Sequence, residues 1–253
     1  MRQDPPLRAA APEGGRDRAA PRPHRTGAGR WRTPRRWRGP GPAAWGLIAL
    51  ACAVEGVLWG AEAGLWGAPR WRAAAYHDGA FLPGLLGNWR PNHPAQPYAM
   101  WLTYAAIHEG PGHLLGNMAL LAALGGRAGR RLGQGGLVAL WALSALGGAA
   151  AFAAIGPPGA SMVGASGAVH GLVGAWLAWE AADRRAAGLG VAPVAWAVLG
   201  VVLLTLAVWV AEGGRLAWEA HAGGLAAGWA AARIAGGLGL DRPEGRGRPT
   251  GAG

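Results

Sequence analysis

The chain has 253 residues, 51% of them apolar and only 15% charged, against about 25% charged in ordinary soluble domains. Its formal net charge of +11 is carried by arginine, with no lysine. These figures exclude a uniformly disordered chain and an ordinary soluble enzyme, and the single cysteine, Cys52, excludes an internal disulfide framework or a cysteine-based zinc site.

Residues 1–42 hold 11 of the 24 arginines within their first 40 positions and are rich in Pro and Gly. The segment lacks aromatic stacking motifs, so nucleic acid is not an expected partner. It reads as a disordered tail beside an anionic membrane face. It contains no short apolar core with a small-residue cleavage site, so a cleaved signal peptide is not expected. The first apolar run, Ala43–Trp66, has spanning length, since roughly 20 residues cross the hydrocarbon core. Cys52 is expected there as a small buried filler. Glu55 and Glu62 interrupt the run on one helical face and point either into the bundle or to the outer surface.

The connection over 67–100 is too polar to span. A short helix is expected from Gly112 to Gly126. No charged residue follows Arg131 until Glu180, which leaves room for two spans divided by Gly156-Pro157-Pro158-Gly159. A fifth span fits Ala187–Ala211 and a sixth fits Leu216–Ile234. The organisation expected is therefore an all-α, six-span membrane domain over 43–236, between the basic tail 1–42 and a Gly/Pro/Arg tail over 237–253. With the N-terminus inside, 20 of the 24 arginines fall on the cytoplasmic side, which assigns both termini to the cytoplasm. Arg130 and Arg131 are expected as topology determinants, and Tyr104, Trp59, Trp66, Trp101, Trp209 and Trp218 as interface anchors.

Polar groups inside spans are costly and mark functional sites by default. Three clusters qualify: His108 to Asn117, Val163 to His170, and Glu219 to Gly224. In the topology above, the second, fourth and sixth spans run in the same direction, so all three clusters sit at similar depth below the outer surface. A serine hydroxyl becomes a nucleophile when a histidine takes its proton, and Ser166 with His221 forms such a pair. His170, one turn after Ser166, competes as the base; it is expected instead to pack against His221. No carboxylate is evidently placed to complete a triad, although Glu219 is near in sequence. His113, Asn117 and the Ser166 N–H supply donors for an oxyanion. Gly167-x3-Gly171 and Gly224-x3-Gly228 would let the two helices approach closely. The His108-Glu109 pair resembles half of a zinc-protease motif, but its second histidine comes at the wrong spacing, so no metal or other cofactor is expected.

The residues His108-x4-His113-x3-Asn117, Gly164-Ala165-Ser166-Gly167 and Ala220-His221-x2-Gly224-x3-Gly228 resemble the motifs of the rhomboid intramembrane serine proteases. Gly125-Gly126 followed by Arg131-Leu132-Gly133 resembles that family's turn after its second helix. The resemblance implies a six-helix bundle, a Ser166/His221 dyad, and His113 and Asn117 as oxyanion stabilisers. It also implies a partly embedded loop over 67–100, and substrates that are single transmembrane segments entering from the lipid bilayer near spans two and five. The chain departs from the family in having His170 in place of an aromatic residue and Gly129 in place of an acidic one. The implied activity is that of a serine endopeptidase of a bacterial inner membrane. A non-catalytic rhomboid-like binder of membrane proteins is the alternative. A transporter lacks support, because no internal repeat or charged pathway is evident.

Overall fold

The computed structural model describes residues 39–242 apart from Pro158. The tails expected over 1–42 and 237–253 lie mostly outside the described residues. The ordered elements are α1 (Pro42–Glu62), α2 (Trp71–Gly79), a 3-10 turn (Pro83–Leu86), α3 (Gln96–Thr103), a second 3-10 turn (Tyr104–Ala106), α4 (Pro111–Ile155), α5 (Ser166–Ala186), α6 (Ala192–Ala211) and α7 (Trp218–Gly237). Among the described residues there are no strands, only an isolated bridge between Phe81 and Met162. By length and composition α1, α4 and α6 are apolar enough to cross a membrane. The less apolar α5 and α7 are rich in Gly and Ala and pack on other helices, so they have less need of a lipid-compatible surface.

α4 is two helices. At Gly133 the backbone leaves helical geometry (φ 77°, ψ 171°), which separates 111–132 from 134–155. Glycine reaches this positive φ without steric cost. The helix expected to stop at Gly126 thus continues through Arg127, Arg130 and Arg131. The partners explain it: Arg131 reaches Asp183 at 2.8 Å and Asp241 at 3.2 Å and lies 5.2 Å from the Trp179 ring centre, and Arg127 sits 3.6 Å from Asp183. Arg131 is only 1% exposed, so this residue, expected as a topology determinant, is a structural anchor as well. Gln134 fills the space over Gly129, where an added Cβ would come within 2.7 Å of its Nε2. Its Oε1 accepts a hydrogen bond from the Ala43 N–H at 3.1 Å, tying the start of α1 to α4.

Glycine faces bring the central helices into backbone contact. A Cβ on Gly224 would overlap the carbonyl of Gly167, and one on Gly228 would overlap that of Gly171. The two small-residue patterns therefore meet in register and set α5 and α7 parallel. The second half of α4 packs antiparallel against both, Gly148 lying against Gly167 and Ala220, and Ser144 against Gly171. Ser144 donates to the Leu140 carbonyl of its own helix at 2.7 Å, the ordinary use of a buried intrahelical serine.

Two local expectations are corrected. Cys52 is exposed on α1, because Ala51 and Glu55 occupy the packed face. Tyr104 is fully buried and its hydroxyl donates to the Ala145 carbonyl at 2.8 Å, so it is a core residue and no interface anchor.

Candidate active site

The first half of α4 runs parallel to α5 and α7. His113 meets Gly164 just before α5, and Arg131 meets Asp183 near the end of that helix. Ser166 and Asp183 are 17 positions apart, or about 25 Å at 1.5 Å per residue. One end of the bundle therefore gathers His113, Ser166 and His221, and the other gathers the ion pairs of Arg131.

Ser166 is the first residue of α5, as expected from the sequence. The loop before it is shaped by Gly164, whose φ of 116° favours glycine. A Cβ there would meet the His113 ring at 2.5 Å. His221 is in the first turn of α7 and only 8% exposed, and neither of its ring nitrogens has a hydrogen-bond partner. Among the described residues no hydrogen bond joins the Ser166 hydroxyl to His221. The two are brought to one level by the Gly167–Gly224 contact and by His170, whose ring is stacked on His221 with centroids 3.9 Å apart and planes 11° apart. The His170 Nδ1 lies 2.8 Å from the Ser166 carbonyl oxygen. A carbonyl only accepts, so this nitrogen carries the proton.

Asn117 is buried, with its Nδ2 donor unpaired. Glu219 is also buried; its Oε2 is unpartnered, and it makes no hydrogen bond to His221. Among the described residues no three His, Cys, Asp or Glu side chains converge as metal ligands would.

Sequence reasoning missed the scaffold beneath the loop. Glu55 is fully buried and accepts the His108 backbone N–H at 2.7 Å. Arg72 bridges Glu55 at 3.0 Å and Glu62 at 2.6 Å and donates to the His108 carbonyl at 2.9 Å. The Tyr76 hydroxyl donates to the same carbonyl at 3.1 Å. Contact with Glu62, then with Glu55, raises the Arg72 pKa above the usual arginine range. His108 itself lies under the serine loop, its Nε2 accepting from the Ala165 N–H at 3.4 Å, and its ring meets that of His113 edge-on at 5.2 Å. Burial pushes the His108 imidazole down to about 4, so it stays neutral and able to accept. The signal available was a carboxylate inside an apolar run, which requires a cation, with Arg72 the second arginine after it.

An apolar cavity of about 490 Å³ opens beside the histidine pair among α5, α6 and α7, with His170, His221, Val201, Thr205 and Trp209 in its wall. The wall from α6 is loosely held, for that helix buries only Val194.

A family model described as Rhomboid domain matches residues 95–237, more than half of the chain. No curated protein matches the chain.

Proposed function

The chain belongs to the rhomboid family, and on that premise we propose that it is an intramembrane serine endopeptidase acting on transmembrane segments of membrane proteins. The observation that carries this reading is the His221 imidazole, buried with both nitrogens free, beside the first turn of the helix that Ser166 opens. In the proposed reaction the Ser166 Oγ attacks the scissile carbonyl carbon and His221 takes the hydroxyl proton. The tetrahedral oxyanion is met by the Ser166 N–H at a helix N-terminus and by donors from His113 and Asn117. Collapse breaks the C–N bond, and His221 passes its proton to the leaving amine. Water then hydrolyses the acyl-enzyme with His221 again as base. The unpaired Asn117 Nδ2 and the closeness of His113 to Gly164 support their assignment.

Among the described residues, six helical runs reach about the length that crosses a bilayer once α4 is divided at Gly133. Six spans with both termini cytoplasmic, in the inner membrane of a bacterium-like cell, complete the proposal. The arginine distribution supports that orientation. The direct test is cleavage of a reporter transmembrane protein in liposomes. Ser166→Ala and His221→Ala are each expected to abolish it, and full activity in either variant discards the mechanism.

One observation favours a second reading, a non-catalytic binder of membrane proteins: Ser166 and His221 share no hydrogen bond among the described residues. Catalytic hydrogen bonds often tighten only once substrate is bound. A serine-reactive fluorophosphonate separates the two, since a protease labels at Ser166 and a binder does not at any pH.

A further inference from the structure

The end of the bundle away from Ser166 carries an inference that goes beyond proteolysis and does not rest on it. We propose that the cavity between the ends of α5 and α7 is a binding site for the phosphoethanolamine headgroup of a lipid, with the phosphate on Arg233 and the ammonium on Asp241.

The cavity measures about 340 Å³, within the range of small-ligand sites. It exists because Ala178 and Ala182 on α5, and Ala232, Gly236 and Gly237 on α7, are too short to fill the space. Its charged lining residues are Arg233, one turn before the end of α7, and Asp241, just beyond that end. They carry opposite charges and yet form no ion pair with each other. Among the described residues Arg233 has no hydrogen-bond or ion-pair partner at all.

Asp241 is held by Arg131, which does not line the cavity. The Arg131 Nε stands 3.2 Å from the Asp241 Oδ1, but neither atom completes an aligned hydrogen bond. Burial pushes the Asp241 carboxyl above the usual carboxylate range, and Arg131 offsets this only in part. A second cation would therefore stabilise the carboxylate. Both α5 and α7 end here, and helix C-termini carry partial negative charge that favours a cation as well. Trp179 forms the inner wall; it is 3% exposed, and its Nε1–H lacks an acceptor that a ligand oxygen would supply.

α7 has 20 residues, about 30 Å at 1.5 Å per residue, so its end reaches the level of the lipid headgroups. Ile234, Leu238 and Leu240, which flank Arg233 and Asp241 in the chain, are exposed apolar side chains suited to acyl chains. A lipid phosphate accepts charge-assisted hydrogen bonds from a guanidinium. A primary ammonium offers three N–H donors to the carboxylate. Choline offers no donor, and a glycerol headgroup brings no cation to set against Asp241.

The test is native mass spectrometry of the full chain, delipidated in micelles and titrated with phosphatidylethanolamine, phosphatidylcholine or phosphatidylglycerol. The wild type is expected to bind the ethanolamine lipid at least fivefold more tightly than the other two. Arg233→Gln is expected to weaken both phosphatidylethanolamine and phosphatidylglycerol by about tenfold. Asp241→Asn is expected to weaken the ethanolamine lipid by about fivefold and leave the glycerol lipid unchanged, which abolishes the preference. Gly236→Leu alters no charge and projects into open space, and is expected to weaken every lipid by about tenfold by filling the cavity. If Asp241→Asn does not fold, the exposed Arg233 and Gly236 positions still carry the test. Soluble glycerophosphoethanolamine, which lacks acyl chains, is expected to bind at least tenfold more weakly than the lipid; equal affinity overturns the lipid assignment. Equal binding of the three lipids, a preference that survives Asp241→Asn, or wild-type binding in Arg233→Gln or Gly236→Leu overturns the site. None of these measurements uses cleavage, so a chain that binds the headgroup without labelling at Ser166 overturns the protease reading and leaves this proposal standing.

Discussion

The α-carbon of Gly224 stands so close to the carbonyl of Gly167 that a single methyl group between them would overlap the oxygen. Gly228 repeats the relationship with Gly171 one turn on, and Gly174 repeats it with the Leu225 carbonyl. The α5–α7 seam is thus backbone on backbone, and it sets the separation of the two helices that carry Ser166 and His221.

Gly224→Ala is therefore expected to lower stability by about 2 kcal/mol or more, because neither backbone can yield as a side chain would. Gly200→Ala on α6, where an added methyl meets open space, is the control. It is expected to be neutral or to stabilise by up to about 1 kcal/mol through helix propensity. Thermal unfolding in detergent micelles compares the two directly.

Arg72→Ala leaves the Glu55 carboxylate buried without its cation. Breaking such a pair is expected to cost about 3 kcal/mol or more. Glu55→Gln added to that variant removes the stranded charge and still offers an oxygen to the His108 N–H, so the double variant is expected to be the more stable. Glu62 is 39% exposed, and Glu62→Ala is expected to cost no more than about 1 kcal/mol. Unfolding of Arg72→Ala, Glu55→Gln and their double variant beside wild type gives the coupling energy, with Glu62→Ala as the exposed comparison.

The extent to which this arrangement was legible differs by element. Ser166 opening α5 and the register of the two glycine patterns followed from local sequence, because helix starts and small-residue faces are short-range signals. The stacking of His170 on His221 was also legible, since i,i+4 spacing put His170 on the Ser166 side of its helix. The end of the first part of α4 was not. Arg127, Arg130 and Arg131 look like a loop when read alone, and the segment stays helical because Asp183, more than 50 positions onward, meets Arg127 and Arg131. Tyr104 was misread for the same reason: the carbonyl that satisfies its hydroxyl lies on α4, 41 residues away. The connection over 67–100 holds two short helices and a 3-10 turn that hydropathy alone does not resolve.

His108 gives the fold an acid-sensitive component. Its unfolded pKa is about 6.5, and burial lowers it to about 4 in the folded chain. Above pH 6.5 the ring is neutral in both states and its contribution is fully present. Between 6.5 and 4 the unfolded chain binds a proton that the folded chain does not, so stability falls as pH falls, by up to about 3 kcal/mol. Below 4 the loss levels off. His108→Gln is expected to flatten this portion of the stability profile, as measured by unfolding across that pH window.

Arg131→Ala is expected to destabilise by about 3 kcal/mol, since it strands Asp241, leaves Asp183 with Arg127 alone and removes the cation packed over Trp179. Arg131→Lys keeps the charge but loses the planar fork that spans both carboxylates, and is expected to recover only part of the loss. Asp241 lies beyond the last turn of α7, and the Arg242 N–H donates to the Arg131 carbonyl at 3.0 Å, so hydrogen exchange at Arg242 is expected to quicken in both variants.

α6 fully buries one side chain, Val194, and half-buries Ala197, Val198 and Val201 against the core, while most of its surface faces outward. Nothing in the polypeptide fixes its tilt as firmly as the glycine seam fixes α5 and α7, so the acyl chains around it act as its packing partner. Bilayer thickness and lateral pressure thereby become determinants of the chamber next to the imidazole pair, and the same molecule will present a differently shaped chamber in a micelle and in a vesicle.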